Sequence, residues 1–404
     1  MSMPGPRLRQ ATFGWIHFAL TAPAIYLWLG LPLVMRQQGW SGAEIGLFQL
    51  AGLPAVFKVF LALPVERRRT GPRPYLRWAW LTGGGYLLAL LALAAADAHA
   101  DKAVLFALTL LAALCATWAD IPVNALAIRL FSPEERPLAG GVRAAASFAG
   151  AVVGGGVMLL VQQAFGWSAP FLMLGAFLIV ALALLAVIRE EDEEKTAVDG
   201  RPSPLAVWRG FFGQAGAGTW TAVLLGYFPC VAAAWIYLKP LLLDRGFPAG
   251  EVAWIAGIGG GIVGALASLA AGLLPRRRVP GVLPLSAAAN ALALGLLAAA
   301  AEHAPAAGLI AAAAFLAFAM GLSSALAFAL MMEFARDAWR AADYGLQASL
   351  FTLGRIAVAA VAGPCLDRFG YAGMLAALAA AALAVAALIA ARRRFVLFLG
   401  GASS

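Results

Sequence analysis

Twelve apolar stretches, each about as long as a helix needs to cross roughly 30 Å of hydrocarbon, leave little room for any other kind of fold. They lie near 11–34, 44–64, 75–96, 103–131, 138–164, 167–188, 212–241, 251–274, 280–300, 305–335, 341–365 and 371–391. Each exceeds a strand in length and lacks strict alternation, which favours helices over a barrel. The expected fold class is therefore all-α integral membrane, with twelve transmembrane helices. Composition agrees: 63% of residues are hydrophobic and 12% charged, against about 25% charged in a soluble domain. Cys115, Cys230 and Cys365 fall inside apolar runs, away from one another and from His, so neither a disulfide framework nor a metal site is expected. Arg7 and Arg9 before an apolar run ending near Ala22-Pro23-Ala24 imitate a signal peptide. The run continues to Val34 and has a counterpart in the second half, so no cleavage is expected.

The net charge of +9 concentrates between the apolar runs and reads as membrane orientation rather than affinity for nucleic acid. With both termini on one side, the tails and even-numbered loops hold 22 Lys and Arg, from Arg7 and Arg9 to Arg392, Arg393 and Arg394, whereas the odd loops hold four: Arg36, Lys102, Arg245 and Arg368. Both termini are expected in the cytoplasm. A weak repeat at a spacing near 205 residues pairs Gly39-Trp40-Ser41-Gly42-Ala43-Glu44 with Gly246-Phe247-Pro248-Ala249-Gly250-Glu251, Arg67-Arg68-Arg69 with Arg276-Arg277-Arg278, and Gly141 with Gly345. A duplicated unit with an even number of helices gives parallel copies. The expected organisation is a six-helix bundle over 1–188, a charged cytoplasmic linker over 189–210 and a second six-helix bundle over 211–404. Ser41-Gly42-Ala43-Glu44 and Ser132-Pro133-Glu134-Glu135 read as helix-starting capping boxes.

Residues 26 to 69, YLWLGLPLVMRQQGWSGAEIGLFQLAGLPAVFKVFLALPVERRR, and 119 to 143, ADIPVNALAIRLFSPEERPLAGGVR, resemble the AmpG-type muropeptide permease branch of the major facilitator superfamily. That branch also takes in acetyl-CoA transporters and siderophore importers of the RhtX/FptX type. The chain departs from the muropeptide permeases in having Asn124 where they usually carry Asp, and in its length of 404 residues. The length of about 400 residues and the twelve spans are similar to the siderophore importers. The resemblance implies two bundles that rock around a central site, a secondary transporter of the bacterial inner membrane, and proton-driven import. A ferric siderophore or similar anionic organic solute ranks first as substrate, and a muropeptide or a coenzyme ester second. A non-transporting membrane sensor is the competing class. No cofactor is expected, and the protein is expected to act as a monomer in the bilayer, with its small-molecule substrate and protons as partners.

Charges inside apolar spans cost about 2.5–3.5 kcal/mol each on insertion scales and mark function. Lys58 and Asp120 lie at matching depths in the second and fourth spans, which permits an ion pair. Asp120 is the expected proton carrier, with Glu333 next. Arg355 sits near the middle of the eleventh span, beyond the snorkelling reach of a long side chain, and is the first candidate for holding an anion. Lys58, Trp118, Asn124, Tyr26, Tyr237 and Gln347 complete the expected substrate contacts. Glu66, Arg67 and Arg68, in a loop resembling the superfamily's acidic-plus-basic motif, are the expected gate. The resemblance further implies that helices 5 and 8 meet across the two halves. Gly150-x-x-x-Gly154 and Gly257-x-x-x-Gly261 offer small residues for such close packing. No P-loop, G-x-G-x-x-G, H-E-x-x-H or G-x-S-x-G stands in a suitable context, so the chain is not expected to be an enzyme or an ATP-driven pump.

Overall fold

The computed structural model describes residues 5–67, 72–96, 101–190 and 203–392. Among these, eleven helices are long and apolar enough to span a membrane: α1 (Pro6–Gln37), α2 (Gly42–Arg67), α3 (Pro74–Ala95), α4 (Lys102–Leu130), α5 (Pro133–Phe165), α6 (Ser168–Val187), α7 (Ala217–Asp244), α8 (Gly250–Gly272), α9 (Arg276–His303), α10 (Ala306–Phe334) and a final stretch, Asp337–Ala391. The last is two helices joined at Gly370, whose φ of 67° belongs to the left-handed region that glycine enters without steric cost. We number them α11 (337–369) and α12 (371–391). The twelve spans of the sequence are thus all present as helices.

Both capping boxes form. Ser41 and Glu44 exchange hydrogen bonds at the start of α2, and Ser132 and Glu135 do the same at the start of α5. Several spans are not uniformly α-helical. A π turn interrupts α1 at Tyr26–Gly30, a 3-10 stretch occupies Gln49–Ala55 of α2, and π turns occur at Val153–Val157 in α5 and Ala253–Gly259 in α8. The irregular stretches of α2 and α8 lie about one repeat apart. Irregular turns of this kind concentrate where helices carry function.

By their contacts, the described residues sort into two compact units. One comprises 1–130, 149–204 and 335–349; the other comprises 131–148, 205–334 and 350–404. Each sequence half therefore lends the other unit one short helical segment, the start of α5 in one case and the start of α11 in the other. Glycine makes both loans possible. A methyl group on Gly345 would lie 2.5 Å from the Ala62 Cβ of α2 and 2.9 Å from the Lys58 carbonyl oxygen, and one on Gly141 would lie 2.6 Å from the Ser268 carbonyl oxygen of α8. The repeat that pairs Gly141 with Gly345 thus marks two equivalent close approaches. The Gly-x-x-x-Gly motifs serve otherwise than expected. Gly150 and Gly154 press α5 against Thr21 and Ala22 of α1, and Gly257 has nothing within 4 Å. α5 meets α8 through Gly141 and Gly272 instead. The small-residue pattern is correctly a packing signal, but it does not name its partner.

The charged stretch after α6 also differs at its first residues from a wholly solvated tether. Glu190 is buried, and its carboxylate accepts hydrogen bonds from the Tyr75 and Leu76 N–H groups at the start of α3 and an ion pair from Arg129. These N–H groups would otherwise lack partners in the first turn.

In lipid every backbone polar group must be paired within the protein. α7 breaks before Pro229, and the Tyr227 carbonyl accepts a hydrogen bond from Asn290 of α9 at 2.8 Å. Ser323 of α10 donates to the same amide's oxygen at 2.7 Å, and the Tyr227 hydroxyl bonds Ser286. Replacing Asn290→Leu should strand both the carbonyl and the serine. We expect a loss of about 1–3 kcal/mol, read as a lower midpoint of thermal unfolding in detergent.

Candidate functional site

The second span reaches its polar centre through a break. After the 3-10 stretch, α-helix resumes at Lys58, and the N–H of Val59 has no carbonyl below it in a regular helix. Ser349 of α11 supplies the acceptor, its Oγ lying 2.9 Å from the Val59 nitrogen. Lys58 is nine residues from Arg67, and Asp120 is ten residues from Leu130. At about 1.5 Å per residue the two side chains stand at the same depth.

The structure brings them together. Lys58 Nζ lies 2.6 Å from Asp120 Oδ2, with both side chains about one-seventh exposed (14% and 15%). Two further donors complete the carboxylate's surroundings. Tyr344 of α11 donates its hydroxyl to the same Oδ2 at 2.6 Å, and Asn124, one turn along α4, donates to Oδ1 at 2.9 Å and to the Asp120 carbonyl at 2.6 Å. The ammonium of Lys58 also sits 5.9 Å from the centre of the Tyr344 ring. Asp120 is therefore a carboxylate at hydrocarbon depth whose partners include one cation and two neutral donors. Such an arrangement offsets the cost of burying charge only while its donors stay in place.

Nearer the arginine-rich end, Glu66 is buried at the foot of α2, and its Oε2 accepts a hydrogen bond from the Ala342 N–H at 2.9 Å. That N–H belongs to the first turn of α11, where unpaired donors and the helix dipole favour an anion. Arg336, just before α11, grips Asp343 through Nε at 2.8 Å and Nη2 at 2.7 Å and through its own backbone N–H at 2.9 Å. Arg67 is exposed, and Arg68 lies outside the described residues.

The second unit has its own cluster. Glu333, at the foot of α10, lies between Arg136 Nη1 and Arg276 Nε, each at 2.6 Å. The site is a two-armed clamp rather than an ordinary solvated position. Arg143 corrects the loop count of the sequence. It lies ten residues inside α5, buried, with its guanidinium 4.0 Å from the centre of the Phe328 ring on α10. A cation over a ring face gains from the ring quadrupole, more so when desolvated. Its nearness to Pro133 and the acidic pair Glu134-Glu135 made it look like part of the loop.

Arg355 makes no hydrogen bond or ion pair with any described residue, and its side chain is exposed at mid-span. The large apolar side chains that α11 exposes are Leu353, Ile356 and Val361, on one stripe, and Phe369 at its end. At about 100° per residue, Arg355 stands roughly 160° around the helix from the centre of that stripe.

The remaining expected contacts are dispersed. Trp118 is two residues from Asp120 and so roughly 160° away on α4. It packs against Trp78 with ring centres 5.4 Å apart, and its indole N–H is without a partner. Tyr26 is wholly buried edge-on against Phe171. Gln347 is buried and donates to the Asp343 carbonyl, and the Tyr237 hydroxyl donates to the Ala359 carbonyl. Of the expected site residues, Lys58, Asp120 and Asn124 form one cluster; sequence reasoning missed Tyr344, Ser349 and Arg143. No group of His, Cys, Asp and Glu that could hold a metal occurs among the described residues.

Twelve membrane-spanning helices, a duplicated half and an ion pair at hydrocarbon depth define a secondary transporter rather than an enzyme. The chain belongs to the Major Facilitator Superfamily, whose family model matches residues 13–357. It is 27% identical over 368 residues to the anhydromuropeptide permease of Escherichia coli strain K12, a match covering 85% of this chain and 73% of that protein. The same fold is found in the human organic anion transporter MFSD10 (TETRAN), with a TM-score of 0.77 at 14% identity over 96% of this chain and 100% of the other. The Escherichia coli fucose:proton symporter FucP matches with a TM-score of 0.76 at 15% identity over 98% and 99% of the two chains.

The pairing itself can be tested. Lys58→Met should leave the Asp120 carboxylate without its cation, a loss of about 3–5 kcal/mol for a broken buried pair. The double variant Lys58→Met with Asp120→Asn should recover most of that stability in thermal unfolding. Additive losses in the double variant would show the two side chains to be independent.

Proposed function

We propose that the protein is a proton-coupled importer of the bacterial inner membrane that carries an anionic organic solute of the muropeptide class. The observation that carries the coupling is the Lys58–Asp120 pair at hydrocarbon depth, with Asp120 as the proton carrier. A carboxylate that must exchange its lysine for a proton has two states of different charge, and a substrate that prefers one of them is coupled to the proton by linkage. Glu333, held by two arginines, is assigned to gating, as is Glu66 on the first turn of α11. Arg67, exposed beside Glu66, and Arg68, next to it in the sequence, are assigned to the same gate.

Arg355 is the proposed anchor for the solute's negative charge, because it combines a mid-span position, an accessible side chain and freedom from other described partners. Trp118 offers an unpartnered N–H and a ring face in the same class of role. Muropeptide is preferred to ferric siderophore, reversing the order drawn from length and span count, because the relative at 27% identity bears the name anhydromuropeptide permease. The proposed orientation places both termini and the 189–210 linker in the cytoplasm, from the asymmetry of 21 basic residues, Arg143 being set aside, against four.

Purified protein in liposomes should accumulate an anhydromuropeptide when an inward proton gradient is imposed. Arg355→Ala should abolish uptake at unchanged expression, and Arg355→Lys should remain defective because an ammonium lacks the planar fork of a guanidinium. Asp120→Asn should retain substrate exchange at equilibrium but lose uphill accumulation. Undiminished uptake by Arg355→Ala, or full accumulation by Asp120→Asn, would remove that residue from its role. A cysteine in place of Ala197 should react with an impermeant maleimide only in inside-out vesicles; reaction in intact cells would reverse the topology.

A further inference from the structure

The Asp120 cluster receives one donor from an unexpected quarter. Tyr344 belongs to the short segment 335–349 that α11 contributes to the first unit, and its hydroxyl ends on the same oxygen that takes the Lys58 ammonium. Hydrogen bonds that fasten this segment to α2 and α4 include Glu66 on the Ala342 N–H, Tyr344 on Asp120, and Ser349 on the Val59 N–H. Gly345 sits between the last two, close enough to α2 that a methyl group would not fit. Of these, the Tyr344 bond ends on the proposed proton site.

We propose that Tyr344 is a positioning residue that latches the start of α11 to α2 and α4 while Asp120 is ionised, and releases it when Asp120 takes up a proton. The inference rests on Asp120 as the proton carrier and extends it by naming the element that moves. A hydroxyl bonded to a carboxylate is worth more than one bonded to a neutral acid, because charge-assisted hydrogen bonds are roughly twice as strong. Protonation places a hydrogen on the carboxyl, removes the attraction for Lys58 and weakens the Tyr344 bond in one step. The segment keeps its Glu66 and Ser349 contacts but loses the charge-assisted one, so its start is held less tightly to α2 and α4. The groups that face Asp120 include Lys58 from α2, Tyr344 from α11 and Asn124 from α4 itself. Other titratable or charged groups on the packed elements are Glu66 with Ala342, Asp343 with Arg336, Arg129 with Glu190, Arg77 near the start of α3, and, on α1, Arg9 with the Leu130 carbonyl and the buried His17.

The test places a single cysteine at Ala348, a buried position of the latched segment, after Cys115, Cys230 and Cys365 have been replaced by Ser or Ala. Its alkylation by a water-soluble maleimide is followed in proteoliposomes between mildly alkaline and mildly acidic pH, beside gradient-driven accumulation and equilibrium exchange. With Tyr344 intact, alkylation should quicken by about tenfold on acidification, the worth of one hydrogen bond to a charged group. Tyr344→Phe keeps the ring and removes only the hydroxyl; alkylation should be fast at both pH values, exchange should persist and accumulation should fall. Tyr344→Gln, which restores a donor, should recover part of the pH response. An unchanged pH response in Tyr344→Phe overturns the latch, even where the wild-type protein accumulates solute. A pH response that vanishes in Tyr344→Phe supports it even where no anhydromuropeptide is accumulated, in which case the substrate assignment alone has failed.

Discussion

A polar group in hydrocarbon has no water to fall back on, and this one constraint accounts for most of the side-chain pairing in the molecule. Where a helix is regular, its backbone satisfies itself. Where it breaks or begins, a side chain from elsewhere completes it: Ser349 at the break in α2, Asn290 at the break in α7, and Glu190 at the start of α3. Each repair ties together elements far apart in sequence. The interruptions that loosen single helices therefore hold the bundle together.

The same constraint explains why buried charges come in groups. Lys58 and Asp120 meet at one depth with Tyr344 and Asn124 filling out the carboxylate; Glu333 takes two arginines; and Arg143 lies over an aromatic ring. Against this pattern Arg355 stands out, since it has no hydrogen-bonding or ionic partner among the described residues. A charged side chain at this depth is costly to bury, which is why Arg355 is proposed as the anchor for the solute's charge.

Much of this was legible in the sequence because it depends on period, length and depth. Twelve apolar runs gave twelve helices, and counting residues from the span ends placed Lys58 and Asp120 at one level. What escaped were facts of azimuth and of distant pairing. Trp118 shares the depth of Asp120 but faces Trp78, because two residues along a helix is more than half a turn. Nothing local marks Tyr344 as a partner of Asp120, 224 residues away. Arg143 was hidden by the acidic loop beside it, and Gly150 and Gly154 announced close packing without saying that α1 rather than α8 would supply the other surface. Glycine at 141 and 345 was visible as a repeat, yet only the folded chain shows that both positions mark segments lent to the other unit.

That exchange of segments bears on how such a molecule could be assembled during synthesis. The first unit cannot be finished when α6 leaves the ribosome, because residues 335–349 are still to come, and until then the Val59 N–H and one side of Asp120 lack the partners the finished fold gives them. The start of α5 must likewise wait for α8 and α10. The two halves of the duplicated sequence are therefore not two independent folding events. The nascent first half is an incomplete intermediate by construction, and the last quarter of the chain supplies the pieces that complete it.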